Sequence, residues 1–313
     1  MYDFRIGPAM AVYDCFMFNN ELDLLELRLK ILDGIVDRFV LVEAGESHTG
    51  LAKPMHFQEN EARFARWRDR IQHILILRLP PGDDPWPRES AQRNAIAKGL
   101  PAIADDDLVL ISDIDELPRR ESIEAVLADP AIRLAGFRMP LFYLRFNYLQ
   151  MRGADPVYVW AVAARGDVFR SFGPQGLRDA RTVLQKRSWQ GNLEPGEAVL
   201  QHAGWHFSYL GDDDHVRLKL KSFTHQEYAV SKNLEDHGVE GILAQGLDLF
   251  GRPGFEWVVV EVNDYFPAEL VTDLDRFRHL LVSEPKVVID RALSLERDTL
   301  VMRRVTGGEA KPR

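Results

Sequence analysis

A strand, a helix and a second strand succeed one another within about 35 residues between positions 10 and 45, which restricts the chain to α/β architectures. Residues 11–17 read as a buried strand, and Asn19-Asn20 as the turn after it. Leu22, Leu25, Leu29 and Leu32 fall at the i, i+3, i+7, i+10 spacing of one helical face, and Asp33-Gly34 supplies the stop. Phe39-Val40-Leu41-Val42 is a short, partly β-branched run ending at Glu43. Such a unit implies a parallel strand pair with a right-handed crossover. The pattern then repeats: helical spacing over 59–70, a strand over 71–79, a Pro- and Asp-rich loop, and a helix from Arg88 to about Gly99. Leu108-Val109-Leu110-Ile111 is the most strand-like apolar run of the chain. Apolar strands alternating with helices predict a mostly parallel open sheet flanked by helices.

Beyond Pro118 the periodicity predicts a helix over 121–127 and strands in the Phe-, Tyr- and Leu-rich stretch 136–149. A further strand is expected over 158–169, helices over 218–228 and 239–246, and a strand over 257–262. A final helix is expected from Pro267 through Leu281, and residues 306–313 are expected to fray.

Charge and cysteine usage narrow the partners. With 48 acidic against 39 basic side chains the net charge is -9, which disfavours nucleic acid and anionic membranes as ligands but leaves room for a small basic pocket. A single cysteine, Cys15, excludes an intrachain disulfide and a cysteine-built zinc site, and fits a reducing compartment. No signal segment or bilayer-length apolar stretch is visible, so a cytoplasmic location is expected, with peripheral membrane association left open.

The strongest chemical feature is Ser112-Asp113-Ile114-Asp115-Glu116, directly after the apolar strand. In extended geometry residues two apart share a side, so Asp113 and Asp115 would present both carboxylates together. In open α/β sheets ligands bind beyond the carboxyl ends of the strands, where this pair falls. Two such oxygens suit Mg²⁺ or Mn²⁺ bridging to a substrate's phosphates. The plainer alternative is an acidic turn, with Glu116 favourable near a helix N-terminus. In Ala203-Gly204-Trp205-His206-Phe207, His206 is either an imidazole for the same ion or a hydrogen-bonded structural residue. Lys219 and Glu227 fall on a predicted helix, where Lys219 either neutralises a phosphate or belongs to a solvated face. There is no Gly-rich phosphate loop, G-x-S-x-G elbow or H-E-x-x-H.

In order along the chain, Asn20-Glu21-Leu22-Asp23 with Arg28, Val36-Asp37-Arg38-Phe39-Val40, Glu43, Lys53-Pro54-Met55-His56-Phe57, Gln92-Arg93, the segment from Asp113 to Pro118, Gly204-Trp205-His206-Phe207-Ser208, Lys219 with Ser222, and Phe266-Pro267 to Pro285 resemble glycosyltransferase family 17. The resemblance implies a GT-A-type nucleotide-diphospho-sugar transferase fold in one domain over 1–305. A nucleotide-sugar-binding half would take about 10–118, and a half completing the acceptor and metal sites about 119–285. It implies an inverting transfer from a nucleotide-sugar donor, UDP-N-acetylglucosamine, to a hydroxyl of a carbohydrate acceptor, assisted by Mn²⁺ or Mg²⁺. By the same analogy Asp115 binds the metal, Asp113 contacts the ribose or the metal shell, and His206 is the third protein ligand. Glu43 would face the base or ribose, Arg93 the diphosphate or the acidic motif, and Lys219 the donor phosphates. Glu227 or Glu116 would be the base that takes the acceptor proton. The animal members carry a membrane anchor and this chain shows none, so a different acceptor is expected. Two other readings compete. A sugar nucleotidyltransferase would show a Gly-rich basic turn where Phe18-Asn19-Asn20-Glu21 stands, and a non-catalytic sugar-binding module would have lost the carboxylates or His206.

Overall fold

A computed structural model describes residues 10–152 and 157–305. The opening unit forms as the periodicity predicts: β1 (Val12–Phe18), a helix over Leu22–Ile31, and β2 (Arg38–Ala44). β1 and β2 run parallel, with Tyr13 opposite Arg38 and Phe18 opposite Glu43. The helix buries Leu24, Leu25, Leu27, Leu29 and Ile31 against the sheet core. β3 (Ile71–Ile76) adds beside β2, and β4 (Leu108–Asp113) beside β1, both parallel. Val109, Leu110 and Ile111 are fully buried, as a strand covered on both faces requires.

The second half adds β5 (Glu116–Pro118), β6 (Leu134–Tyr143), β7 (Tyr148–Arg152), β8 (Val157–Arg165), β9 (Glu197–Leu200), β10 (Gly204–Ser208) and β11 (Phe255–Val259). Among the described residues these complete one eleven-stranded sheet whose main path is β11-β7-β6-β8-β4-β1-β2-β3. The α/β class expected from the sequence holds, but "mostly parallel" holds for the first half alone. β8 is antiparallel to both β4 and β6, and β7 is antiparallel to β6 and β11. For β6 and β7 the reason lies in the connection: only residues 144–147 separate them, too few for the crossover a parallel pair needs.

Two other expectations change. The strand expected over 158–169 stops at Arg165, and a long helix over Gly166–Gln190 follows, interrupted at Gly173 (φ +66°) beside Pro174. Its Phe169, Leu177, Ala180 and Leu184 pack on the face of the sheet opposite the Leu22–Ile31 helix. The helix expected over 267–281 is instead three short turns, Ala268–Val271, Leu274–Phe277 and Arg278–Leu280. Thr272 turns its hydroxyl back to donate to the Ala268 carbonyl, and Asp273 leaves helical geometry there. The fraying expected of residues 306–313 lies outside the described residues. No described helix is long and apolar enough to cross a membrane.

His202, between β9 and β10, sets an acid limit on this fold. It is almost wholly buried, its Nδ1 is 3.1 Å from the Tyr265 hydroxyl, and its backbone carbonyl accepts from Arg119 Nε at 2.9 Å. Burial, and then the Arg119 cation, push its pKa down to about 4. A histidine depressed in the folded state contributes stability that is complete above its ordinary value near 6.5 and is lost as pH falls from there through the folded value. Urea unfolding is therefore expected to lose about 3 kcal/mol over that window. His202→Gln is expected to flatten the profile there, and an unchanged slope in the variant would assign the acid sensitivity elsewhere.

Candidate active site

β4 delivers Asp113 to the end of the parallel half, and the chain then turns through Ile114 and Asp115 into β5. Asp115 thus sits in a turn and not on an extended strand. Its proximity to Asp113 comes from how the turn is held. Arg28, fully buried, pairs with Asp14 through two bonds of 2.6 and 2.7 Å. The same guanidinium donates to the carbonyls of Asp113 (3.0 Å) and Glu116 (2.8 Å) and to the Ser112 hydroxyl (2.5 Å). One arginine on the first helix therefore fixes the acidic turn from below. β10 closes the other side: it pairs antiparallel to β5, with His206 opposite Glu116, and the Phe207 amide donates to the Asp115 carbonyl at 2.8 Å. Gly204 permits this approach, since a Cβ there would come within 2.2 Å of the Leu117 carbonyl oxygen.

The carboxylates meet a matching set of cations. Asp113 accepts from Arg178 at 2.5 Å and from Arg93 at 3.3 Å. Burial opposes its charge, but Arg178 and Arg93 outweigh burial and hold its carboxyl well below the usual range. Asp115 accepts from Lys219 Nζ at 2.7 Å, and its other oxygen lies 3.6 Å from His206 Nε2. There too burial is overcome, here by Lys219 and His206, and the carboxyl is again held far down.

Asp113, Asp115, Glu116, His206 and Lys219 all line one cleft of about 500 Å³. Its first wall is the end of β1 and the loop after β2, with His48 and Gln92, which hydrogen-bond each other at 2.9 Å. Its second wall is Tyr143, Gln150, Trp160 and Tyr209 from the antiparallel half. Trp86 and His225 touch across the rim, ring centroids 4.9 Å apart.

Two expected site residues, Glu43 and Glu227, fall elsewhere, and Arg93 takes the second of its two expected roles. Glu43 does not line the cleft: it is buried, accepts from the Phe57 amide at 2.9 Å and lies 3.1 Å from His73 Nε2, so it anchors the loop after β2. Arg93 braces Asp113, Glu89 and Gln175 and is also outside the lining. Glu227 is exposed, bonded to His225 at 2.7 Å, and outside the cleft lining. Glu116 lines the cleft, but both its oxygens accept from Arg178, at 2.6 and 2.8 Å, and one also accepts from the Asp113 amide at 2.8 Å. That geometry makes it a brace for the turn and not a free base. Arg178, Arg181 and Trp160 went unread in the sequence. Leu177, Ala180 and Leu184 carry helical spacing after the Gly173-Pro174 break, and would have placed Arg178 and Arg181 on one helix.

The donor set suits a divalent ion in part. Asp115 Oδ1 and His206 Nε2 face each other at a separation too long for a hydrogen bond, and the other imidazole nitrogen, Nδ1, is buried without a partner. A carboxylate oxygen and an imidazole nitrogen so placed fit Mn²⁺-like coordination. Asp113 is engaged by two arginines, and no group of three His, Cys, Asp or Glu is assembled for a metal among the described residues. The chain thus offers two donors, and an ion there would complete its shell from ligand phosphates and water.

Fold and site together define an α/β protein with its ligand cleft at the carboxyl ends of parallel strands, floored by an arginine-braced acidic turn. Among known proteins, the model of glycosyltransferase family 17 matches residues 3–143, the stretch that carries this turn. The human beta-1,4-mannosyl-glycoprotein 4-beta-N-acetylglucosaminyltransferase is 24% identical over 298 residues, 86% of this chain and 55% of that protein. Its rat counterpart is 24% identical over 310 residues, 89% of this chain and 56% of that protein. The chain is thus similar to glycosyltransferase family 17 over residues 3–143, and it spans about half the length of the curated relatives it matches. Among solved structures it is similar to a mannosyltransferase from Pyrobaculum calidifontis in complex with GDP-Man and Mn²⁺ (TM-score 0.37, 14% identity, 60% of this chain and 56% of that one). It is also similar to glucosyl-3-phosphoglycerate synthase from Mycobacterium tuberculosis (TM-score 0.33, 14% identity, 61% of this chain and 70% of that one). Both overlays are partial.

Proposed function

We propose that this chain is an inverting glycosyltransferase that moves a sugar, N-acetylglucosamine, from a UDP donor to a hydroxyl of a carbohydrate acceptor with the help of Mn²⁺ or Mg²⁺. The observation that carries the reading is the strand-end turn, where Asp115 and His206 face each other unbonded on the cleft floor within a family 17 framework. Asp115 and His206 would hold the ion, which when bound neutralises the departing diphosphate as a Lewis acid. Lys219, on the other oxygen of Asp115, is placed to share that charge with an incoming phosphate. Arg178 and Arg93 keep Asp113 ionised and the turn rigid, so little reorganisation is needed when the donor arrives. The wall formed by Tyr143, Gln150 and Trp160 would hold the acceptor hydroxyl in line with the anomeric carbon.

An ion held by Asp115 and His206 would add positive charge where the diphosphate binds, beyond what Lys219 supplies. Calorimetry is expected to give a UDP affinity at least about tenfold higher with Mn²⁺ than in EDTA, a difference of about 1.4 kcal/mol. Release of free UDP from UDP-N-acetylglucosamine should show the same dependence. Equal UDP affinity in both buffers would remove the metal from this reading.

A further inference from the structure

The second wall of the cleft holds donors with nothing to donate to. Trp160, on β8, and Arg181, from the Gly166–Gln190 helix, both line the cleft. The indole Nε1 and the guanidinium Nη1 are buried and have no hydrogen-bond partner among the described residues. They are neighbours, the Arg181 guanidinium lying 5.7 Å from the Trp160 ring centroid. The carboxylate within reach of Arg181 is Glu116, 3.8 Å away, and its oxygens are already taken by Arg178. Burial and the adjacent Arg178 cation push the Arg181 pKa down to about 10, the mark of a cation short of counter-charge.

Indole and guanidinium are donor-only groups. Two of them buried side by side match a group that only accepts: the oxygens of a carboxylate or a phosphate. Trp160 belongs to β8 of the antiparallel half, and Arg181 to the helix packed on β8, and both line the cleft together with Tyr143 and Gln150. Tyr143 Oη and Gln150 Oε1, on the same wall, are also buried without partners and offer a hydroxyl and an acceptor for sugar hydroxyls. We propose that Arg181 and Trp160 form an oxyanion site on the acceptor side of the cleft, so that the acceptor is a sugar bearing a carboxylate or phosphate group. This rests on the glycosyltransferase reading and names its acceptor class.

The test is calorimetry on the full chain with saturating UDP and Mn²⁺, titrating glucuronate, glucose 6-phosphate and, as the neutral control, glucose. At least one anionic sugar is expected to bind tenfold or more tighter than glucose. The two anions separate the carboxylate from the phosphate source. Arg181→Gln should abolish that preference and change UDP affinity less than twofold, while Arg181→Lys, which keeps the charge, should recover part of it. The melting temperature of Arg181→Gln should match or exceed that of the parent chain, because an unpartnered buried donor is removed. Anionic sugars binding no better than glucose would overturn the inference. So would an equal loss of UDP affinity in Arg181→Gln, which would assign the site to the donor diphosphate and leave the glycosyltransferase reading standing. UDP failing to bind the parent chain would reject that reading and the acceptor inference together.

Discussion

Asp115→Asn is expected to lower sugar transfer about a hundredfold or more, the scale of losing one preorganised charge from an active site. Asparagine keeps the shape of the side chain but not the charge that faces His206 at 3.6 Å and Lys219 at 2.7 Å. The substitution also leaves Lys219 with only the more distant carboxylate of Glu21, 4.0 Å away, among the described residues. Burial opposes the Lys219 charge, and the Asp115 carboxylate, which outweighs burial, holds its pKa above the ordinary value. Because Lys219 keeps some solvent access, the accompanying loss of stability should be about 1–2 kcal/mol and not the full penalty of a buried broken pair. Adding Lys219→Met to Asp115→Asn separates the two effects: the melting temperature should recover and transfer should not. The readouts are UDP release from UDP-N-acetylglucosamine across a Mn²⁺ titration, and thermal melts. Near-normal turnover of Asp115→Asn at saturating Mn²⁺ would make Asp115 a structural residue.

Arg28→Met is expected to have the largest effect on stability, about 3–5 kcal/mol, as when one partner of a buried ion pair is removed. Arg28 and Asp14 are both fully buried, so the substitution strands the Asp14 carboxylate away from solvent. The same change leaves the carbonyls of Asp113 and Glu116 and the Ser112 hydroxyl without their donor. Pairing it with Asp14→Leu removes the uncompensated charge, and urea unfolding should then show partial recovery. Transfer should stay low in the double variant, because the turn that presents Asp113 and Asp115 has still lost its brace. Full stability in Arg28→Met alone would show that the pair contributes no net free energy.

The distribution of legible and illegible features follows from how far apart the interacting residues lie. Apolar spacing is local, so β1, β2, β4 and the first helix could be read from runs of a few residues. The acidic turn was readable for the same reason: it directly follows a buried strand. Its meaning was less so. Extended alternation put both carboxylates on one side, whereas Asp115 lies in a turn whose shape is imposed by Arg28 from 85 residues away and by the pairing of β10 with β5.

What the sequence by itself determined is the α/β class, the parallel half of the sheet, and the acidic turn at the end of its central strand. The tertiary structure alone decided which charge faces which. Lys219 meets Asp115 across 104 residues, Arg178 meets Asp113 across 65, and Arg181 reaches the cleft because its helix packs on β8 and β4. Glu43 and Glu227, equally good as sequence candidates, were turned away from the cleft by His73 and the Phe57 amide in one case and by solvent and His225 in the other. A carboxylate's partner depends on the packing of elements distant in the chain. Charge pairing carries no period of its own, so no local pattern encodes it.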